Sequence, residues 1–257
     1  MKLFCSDLDN TLIYSYKRDI GKEKRCVEIY EGREISFMSE YSLALLQEVR
    51  RKTCFVPLTT RTEEQYRRIS LGEPEFALVC NGGVLLVDGE PEQAWYHESL
   101  RLAREAAEEL LLAARILEHD SDVSFEVRNI CDLFLFTKSG NTERSIAGLA
   151  HALDLTRVDI LTNGEKLYVL PKRLHKGTAL RRLKERFHGV FAFAAGDSLF
   201  DVPMLREADT AFAPQTLKDE AGTALPEHVR GIPDEKLFSD VLLENILEEI
   251  KRGQPCN

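Results

Sequence analysis

Asp7 and Asp9 stand one residue apart at the end of the apolar run that opens the chain, in Phe4-Cys5-Ser6-Asp7-Leu8-Asp9-Asn10-Thr11-Leu12. Residues at i and i+2 share one face of a strand, and two carboxylates there repel each other. Two readings fit this stretch. A divalent cation could offset the repulsion, or the two side chains could cap a turn. Three further groups have chemical potential. Thr59, Thr60, Arg61 and Thr62 follow the apolar run Thr53–Leu58, and hydroxyls between a strand end and a helix start suit an anion. Capping by Thr62 accounts for one of those hydroxyls but not for the others. Lys176 leads from a basic loop into a helix, and Asp197 and Asp201 follow the run Val190–Ala194.

The elements that must position these groups fall into two sets. Strand-like runs at 4–12, 53–58 and 76–80 alternate with helical patterns, as crossover-connected parallel strands do. Between the first two lies a charged stretch whose segments Cys26–Tyr30 and Arg33–Phe37 flank Glu31-Gly32, a hairpin signal that reads as a surface flap. Ser39 has the position of a helix N-cap. From Val84 the pattern changes. A hairpin arm at Val84–Gly89 leads to one long amphipathic helix, Ser99–Leu117, then strands at 123–127 and 133–137. A helix capped by Thr142 and a hairpin turning at Asn163-Gly164 complete this α+β unit. The chain then returns through Pro171 to a helix, the buried run Val190–Ala194, a short strand at 210–213 and a last helix, Phe238–Ile250. The expected fold class is α/β: a Rossmann-like parallel-sheet core from 1–83 and 171–257, interrupted by an inserted α+β cap domain at 84–170.

Composition narrows the function. With 257 residues the chain can bury a full core. The formal net charge of -9 argues against a nucleic-acid partner, which calls for a basic face. It leaves room for a local pocket that takes a small anion. No apolar run is long enough to span a bilayer, and the N-terminus lacks a signal-peptide pattern. The six cysteines, Cys5, Cys26, Cys54, Cys80, Cys131 and Cys256, include no CxxC pair, so a reducing cytoplasm without disulfides is expected. The histidines show no ligand spacing for zinc.

Asp7/Asp9, Thr59/Thr60, Lys176 and Asp197/Asp201 therefore stand at strand ends or helix starts of one open α/β sheet, where ligands bind. Buried carboxylates without compensation cost several kcal/mol each, so a hard cation with oxygen ligands, Mg2+, is the implied cofactor.

At this point the chain resembles the haloacid dehalogenase superfamily, in the Cof-type and sucrose-phosphatase-like branch with a large inserted cap (class IIB). Asp7-Leu8-Asp9-Asn10-Thr11 matches the first motif, DxDxT. Thr59 matches the second, Lys176 the third, and Gly196-Asp197-Ser198-Leu199-Phe200-Asp201 the fourth, GDxxxD. Asn81-Gly82 matches the step before the cap. The resemblance covers essentially the whole chain. It implies an Mg2+-dependent phosphoric monoester hydrolase acting on a sugar phosphate or related metabolite, as a cytoplasmic monomer or homodimer. Asp7 would be the nucleophile, giving an aspartyl-phosphate, and Asp9 the general acid and base. Asp7, the Asp9 carbonyl and Asp197 would hold the metal. Thr59 and Lys176, with Thr60, Arg61, Asn81 and Gly82, would contact the phosphate, and Asp201 would orient Lys176 or metal-bound water. A phosphomutase uses the same groups. A ligand-binding or regulatory protein with weak turnover is the reading from another class.

Two departures bear on the last point. Phe200 stands where relatives have Asn, and Thr60 where they have Gly. Neither touches the four central groups. Arg128, Asn129 and Lys138 are the cap candidates for substrate contact. His175 beside Lys176 and Arg173 are candidates for the pocket but are expected at the surface, and Trp95 is expected at the hinge between cap and core.

Overall fold

The computed structural model describes residues 1–222 and 225–252, so Cys256 lies outside the described residues. The chain begins with β1 (Leu3–Ser6), followed by a flap of β2 (Tyr14–Ser15), β3 (Lys24–Tyr30) and β4 (Arg33–Ser39). Next come α1 (Glu40–Lys52), β5 (Cys54–Pro57), α2 (Glu63–Tyr66) and β6 (Phe76–Val79). β7 (Val84–Val87), β8 (Glu90–Pro91) and α3 (Gln93–Arg104) follow. Then come α4 (Ala107–Glu118), β9 (Arg128–Ile130), β10 (Phe134–Lys138), α5 (Thr142–Ala152), β11 (Val158–Asn163) and β12 (Lys166–Pro171). The chain finishes with α6 (Lys176–Arg186), β13 (Ala192–Ala195), α7 (Val202–Glu207), β14 (Thr210–Pro214), α8 (Gln215–Ala221), β15 (Val229–Ile232) and α9 (Phe238–Arg252).

The main sheet has the order β15-β14-β13-β1-β5, and all its pairs are parallel. Every residue of β1 is buried, as a central parallel strand with helices on both faces requires. Phe4 packs with Phe55, Phe193 and the α9 residues Leu243 and Ile246 on one face. Leu3 and Cys5 pack with Leu180 and Leu183 of α6 on the other. From β1 the chain steps to β5 on one side, while β13 lies on the other. The carboxyl end of β1 is therefore a topological switch point, where an open α/β sheet leaves a crevice.

β6 runs parallel beside the end of β5 through the Leu58–Leu78 bridge, and β7 and β8 continue antiparallel from it. The Val84–Gly89 arm, expected at the start of the inserted unit, is thus tied to the strand before it. α3 also lies against the main domain. Arg182 of α6 donates to the Trp95 carbonyl at 2.8 Å and to Ser99 Oγ at 2.9 Å. The helix expected as one piece over 99–117 is two. Ala106 between them is not helical, with φ -112° and ψ 13°, and Arg157 donates through Nε to the Glu105 carbonyl that the break leaves open, at 2.9 Å.

The second unit is an antiparallel sheet, β11-β12-β10-β9. Leu135, Leu167 and Val169 on one face pack on Ala113, Leu117 and Leu149 of α4 and α5. The strand expected at 123–127 is reduced to one bridge, Val123–Ser139, and pairing passes to Arg128–Ile130. The cause is the turn. Cys131 and Asp132 both have positive φ, 51° and 55°, in the tight turn closed by the Leu133 N–H donating to the Ile130 carbonyl at 2.9 Å, and that turn sets Ile130 opposite Phe134. Asn141 caps α5 in place of the expected Thr142, accepting from the Arg144 N–H at 3.1 Å. β15, at the sheet edge, is an element that the sequence patterning did not suggest. The described cysteines are all free. No described helix is long and apolar enough to cross a membrane.

Candidate active site

Asp7 continues β1 by one residue, its N–H donating to the Ala195 carbonyl at 2.9 Å. Lys176 opens α6, whose N-terminus is capped by His175 accepting from the Thr178 N–H. The two elements aim their side chains at each other. Lys176 is 1% exposed, and its Nζ donates to Asp7 Oδ1 and to Asp201 Oδ1, both at 2.6 Å. Asp201 turns its other oxygen to the loop, where Oδ2 accepts from the Asp197 N–H, the Ser198 N–H and Ser198 Oγ. Gly196 makes this possible: a Cβ there would sit 2.2 Å from the Asp201 Cβ. Gly177 has the same role beside Lys176, where a Cβ would come within 2.4 Å of the Pro203 carbonyl oxygen. Burial alone would favour the neutral amine of Lys176, but Asp201 and Asp7 outweigh it and hold the ammonium.

Asp7, Asp197 and Asp201 bring ligand oxygens within 4.8 Å of one another. Burial, opposed by Lys176 and reinforced by the neighbouring carboxylates, raises the Asp7 carboxyl well above its ordinary range. Burial and the charge of Asp201 push Asp197 up to about 7. Three carboxylates against one ammonium leave two negative charges uncompensated. This donor set of hard oxygens fits a divalent cation such as Mg2+. Asp201 has both oxygens committed to hydrogen bonds. Asp7 commits only Oδ1, and Asp197 commits Oδ1 to Thr11 Oγ1 at 3.2 Å, which leaves these two side chains as the natural ligands.

Asp9 is held differently. Arg61 grips it in a fork, Nε to Oδ2 and Nη2 to Oδ1, both at 2.7 Å. Burial pushes the Asp9 carboxyl up, but the Arg61 hydrogen bonds and charge win and hold it below its ordinary value. The third Arg61 nitrogen, Nη1, donates to Glu28 Oε1 at 2.8 Å. Glu28 comes from β3 in the flap, is 1% exposed, and also accepts from Ser36 Oγ at 2.6 Å. Arg61, expected at the phosphate, is thus spent on two carboxylates. The flap, expected as surface without a role, supplies one of them. A β-bulge around Glu28 breaks the strand alternation and turns that side chain inward, so no residue pattern announced it.

An inner cavity of about 200 Å³ is lined by Asp7, Asp9, Lys176, Asp197, Thr60 and Phe200, among others. Thr60 lines it directly, whereas Thr59 is fully buried behind, its hydroxyl accepting from the Arg61 N–H at 3.2 Å. Asn81 and Gly82, expected at the phosphate, lie instead in the turn after β6. Asn81 has φ 59° and reaches the Leu174 carbonyl, and the Gly82 carbonyl accepts from Trp95 Nε1 at 3.0 Å. Trp95 packs at this junction with the Arg182 guanidinium 3.7 Å from its ring centroid. Arg173 pairs with exposed Glu105. Phe200 packs edge-on against Tyr168 of the cap sheet at 5.0 Å, which gives the aromatic ring a packing role where a polar residue was expected.

An outer cavity of about 500 Å³ opens between the flap, α2 and the cap sheet. Arg128 and Lys138 line it, as expected. Asn129 does not, because the next residue along a strand faces the other way, and it donates to Asp132 instead. Lys166 and Tyr168 border both cavities and were missed. The only signal for Lys166 was its place beside the Asn163-Gly164 turn, which puts it opposite Lys138.

No protein-family model matches this sequence, and no curated protein matches it. Solved structures do match. The sucrose-phosphatase of Synechocystis sp. PCC6803, determined with sucrose and phosphate, aligns over 96% of both chains at 15% identity with a TM-score of 0.65. A phosphatase of the haloalkanoate (HAD) enzyme superfamily from Bacteroides thetaiotaomicron aligns over 98% of this chain and 95% of its own at 16% identity, TM-score 0.56. A sugar phosphatase of HAD subclass IIB covers 96% of this chain and 100% of its own at 15% identity, TM-score 0.55. The likeness is one of architecture: this chain has the haloacid dehalogenase fold, a parallel-sheet core carrying a cap domain.

Proposed function

We propose that the chain is a phosphatase of small organic phosphate monoesters. The observation that carries this reading is the buried Lys176 bridging Asp7 and Asp201, with Asp197 at ligand distance. The solved sugar phosphatases that share the fold support it. In this reading an Asp7 oxygen attacks phosphorus, the bond to the leaving oxygen breaks, and that oxygen takes a proton from Asp9. Water then attacks the aspartyl-phosphate, gives its proton to Asp9, and releases phosphate with Asp7 restored. Lys176 has three N–H groups and commits two, so one remains for a phosphoryl oxygen, beside the Thr60 hydroxyl. Asp7, Asp197 and the Asp9 carbonyl would hold Mg2+, which when bound offsets the repulsion between a carboxylate nucleophile and a phosphate. We take the cap to begin near residue 105, since β7 and α3 are bonded to the core.

A second reading, a phosphate-ester-binding protein with slow turnover, is favoured by one observation. Arg61 holds Asp9 as the carboxylate, a form suited to a base and not to an acid. A panel of phosphate monoesters, with and without Mg2+, separates the two. The phosphatase reading expects Mg2+-dependent release of phosphate, lost in Asp7→Asn while ester binding persists. Turnover by Asp7→Asn above background would sink the nucleophile assignment. Tight binding without hydrolysis by the native chain would favour the second reading.

A further inference from the structure

The cap sheet turns one face to the cavities, and its make-up is unusual. Strand alternation places Arg128, Phe136, Lys138, Lys166 and Tyr168 on that face, while Leu135, Leu167 and Val169 on the other pack on α4 and α5. The β10–β12 register makes Lys138 and Lys166 direct cross-strand partners. Like charges directly opposite destabilise a sheet, and nothing in the packing of this unit calls for them. Neither lysine forms an ion pair with any described carboxylate, although Lys166 is near enough to Asp9 to help hold its carboxyl low. Lys138 has only the Phe125 ring, 5.5 Å away, and Arg128 shares that ring at 4.6 Å while pairing with exposed Glu126. Of the carboxylates lining the outer cavity, Asp9 and Glu28 are committed to Arg61, and Glu64 belongs to α2 on the core side.

Lys166 borders the inner cavity with Asp7 and Lys176, and the outer cavity with Lys138 and Arg128. A small molecule whose phosphate sits against Asp7 and Lys176 therefore extends past Lys166 toward Lys138. Between these points it lies along Phe136 and Tyr168, whose ring centroids are 5.1 Å apart. We infer that the substrate carries a second anionic group, a carboxylate or a second phosphate, which Lys138 and Lys166 hold together at the cap sheet. That anion relieves the repulsion between the lysines and selects the leaving group, so specificity rests on charge and less on sugar hydroxyls. The inference builds on the phosphatase reading and concerns only what the leaving group carries.

Matched ester pairs test it: glycerol 3-phosphate against 3-phosphoglycerate, glucose 6-phosphate against 6-phosphogluconate, and fructose 6-phosphate against fructose 1,6-bisphosphate. With Mg2+ present, kcat/KM is expected to be at least about tenfold higher for the member with the second anion, the scale of one charge-assisted contact. In the Lys138→Met/Lys166→Met double variant that ratio falls toward one. The first two pairs against the third tell carboxylate from phosphate. Equal kcat/KM across every pair, or a preference that survives the double substitution, overturns the inference. If no ester is hydrolysed, the phosphatase reading fails by itself. Calorimetric Kd values for the same pairs then decide the second anion: tighter binding that the double variant loses supports it, and equal binding overturns it.

Discussion

At the end of β1 the charges answer one another. Lys176 divides its ammonium between Asp7 and Asp201, and Asp201 spends its other oxygen on three donors of the loop at 197–198. On the cap sheet, Lys138 and Lys166 are cross-strand partners, and neither forms an ion pair with a described carboxylate. The first region is buried, where an unpaired charge costs several kcal/mol; the fold sets Lys176 against Asp7 and Asp201 in advance and leaves the remaining negative charge for a cation. The second is open to the cavity, where water screens the repulsion until a ligand displaces it. The difference separates two tasks. Groups proposed for the chemistry are fixed by hydrogen bonds that exist before any ligand arrives. Groups proposed for selection keep their charge available.

Substitutions can break that division at its strongest point first. Asp7→Asn is expected to lower phosphate release by at least about 10³-fold, measured with Mg2+ under saturating ester, because it removes the nucleophile. Lys176→Met should cost about 3–5 kcal/mol of stability in urea denaturation, since it strands Asp7 and Asp201 without a counter-charge. Loss of stability smaller than about 1 kcal/mol there would mean that the buried network is not holding the site in advance. Arg61→Met releases Asp9 but leaves Glu28 with Ser36 and Arg68. It should destabilise by about 1–3 kcal/mol and move the alkaline limb of the kcat/KM profile to higher pH, as Asp9, the acid of the first step, regains its proton affinity.

A pH series reads the same region without substitution. The folded-state value of Asp197 is raised from 3.8 to about 7. In EDTA its contribution to stability is therefore full below about pH 4 and lost as pH rises through about 7, because the folded form binds the proton more tightly. Mg2+ should reverse that trend near neutrality, and its apparent affinity should fall by at least about tenfold per pH unit on acidification, as the metal competes with protons on Asp197 and Asp7. Melting temperatures with EDTA and with Mg2+, compared from pH 5 to 8, check both signs. The smallest expected effect lies where the two regions touch. Phe200→Leu keeps an apolar side chain but loses the Tyr168 ring contact, and should cost about 1 kcal/mol by denaturant unfolding.

Much of the fold and part of the site were legible in the residue order. The apolar runs ending in Asp7, Thr59 and Asp197 mark parallel strands because a central strand must be apolar on both faces. The caps at Ser39 and Thr62 were legible for the same local reason, a hydroxyl placed to accept from an early helix N–H. The Glu28 contact was not, since a bulge reverses which side of β3 faces inward. The break at Ala106 was not either, because alanine favours a continuous helix and only Arg157 and the change of packing partner end it there. Asn81 and Gly82 carry the turn signal plainly, yet their side of the turn faces Trp95 and not the cavity.

What the sequence determined by itself was the set of reactive groups and the strand ends they occupy. Side-chain chemistry and the alternation of apolar runs are local properties, written one residue at a time. What only the tertiary structure decided was which charge answers which. Lys176 reaches Asp7 across 169 positions of chain, Arg61 chooses Asp9 and Glu28, and Lys166 is set against Lys138 by a hairpin register. Electrostatic energies depend on distance and burial, and both are fixed only when distant segments pack together.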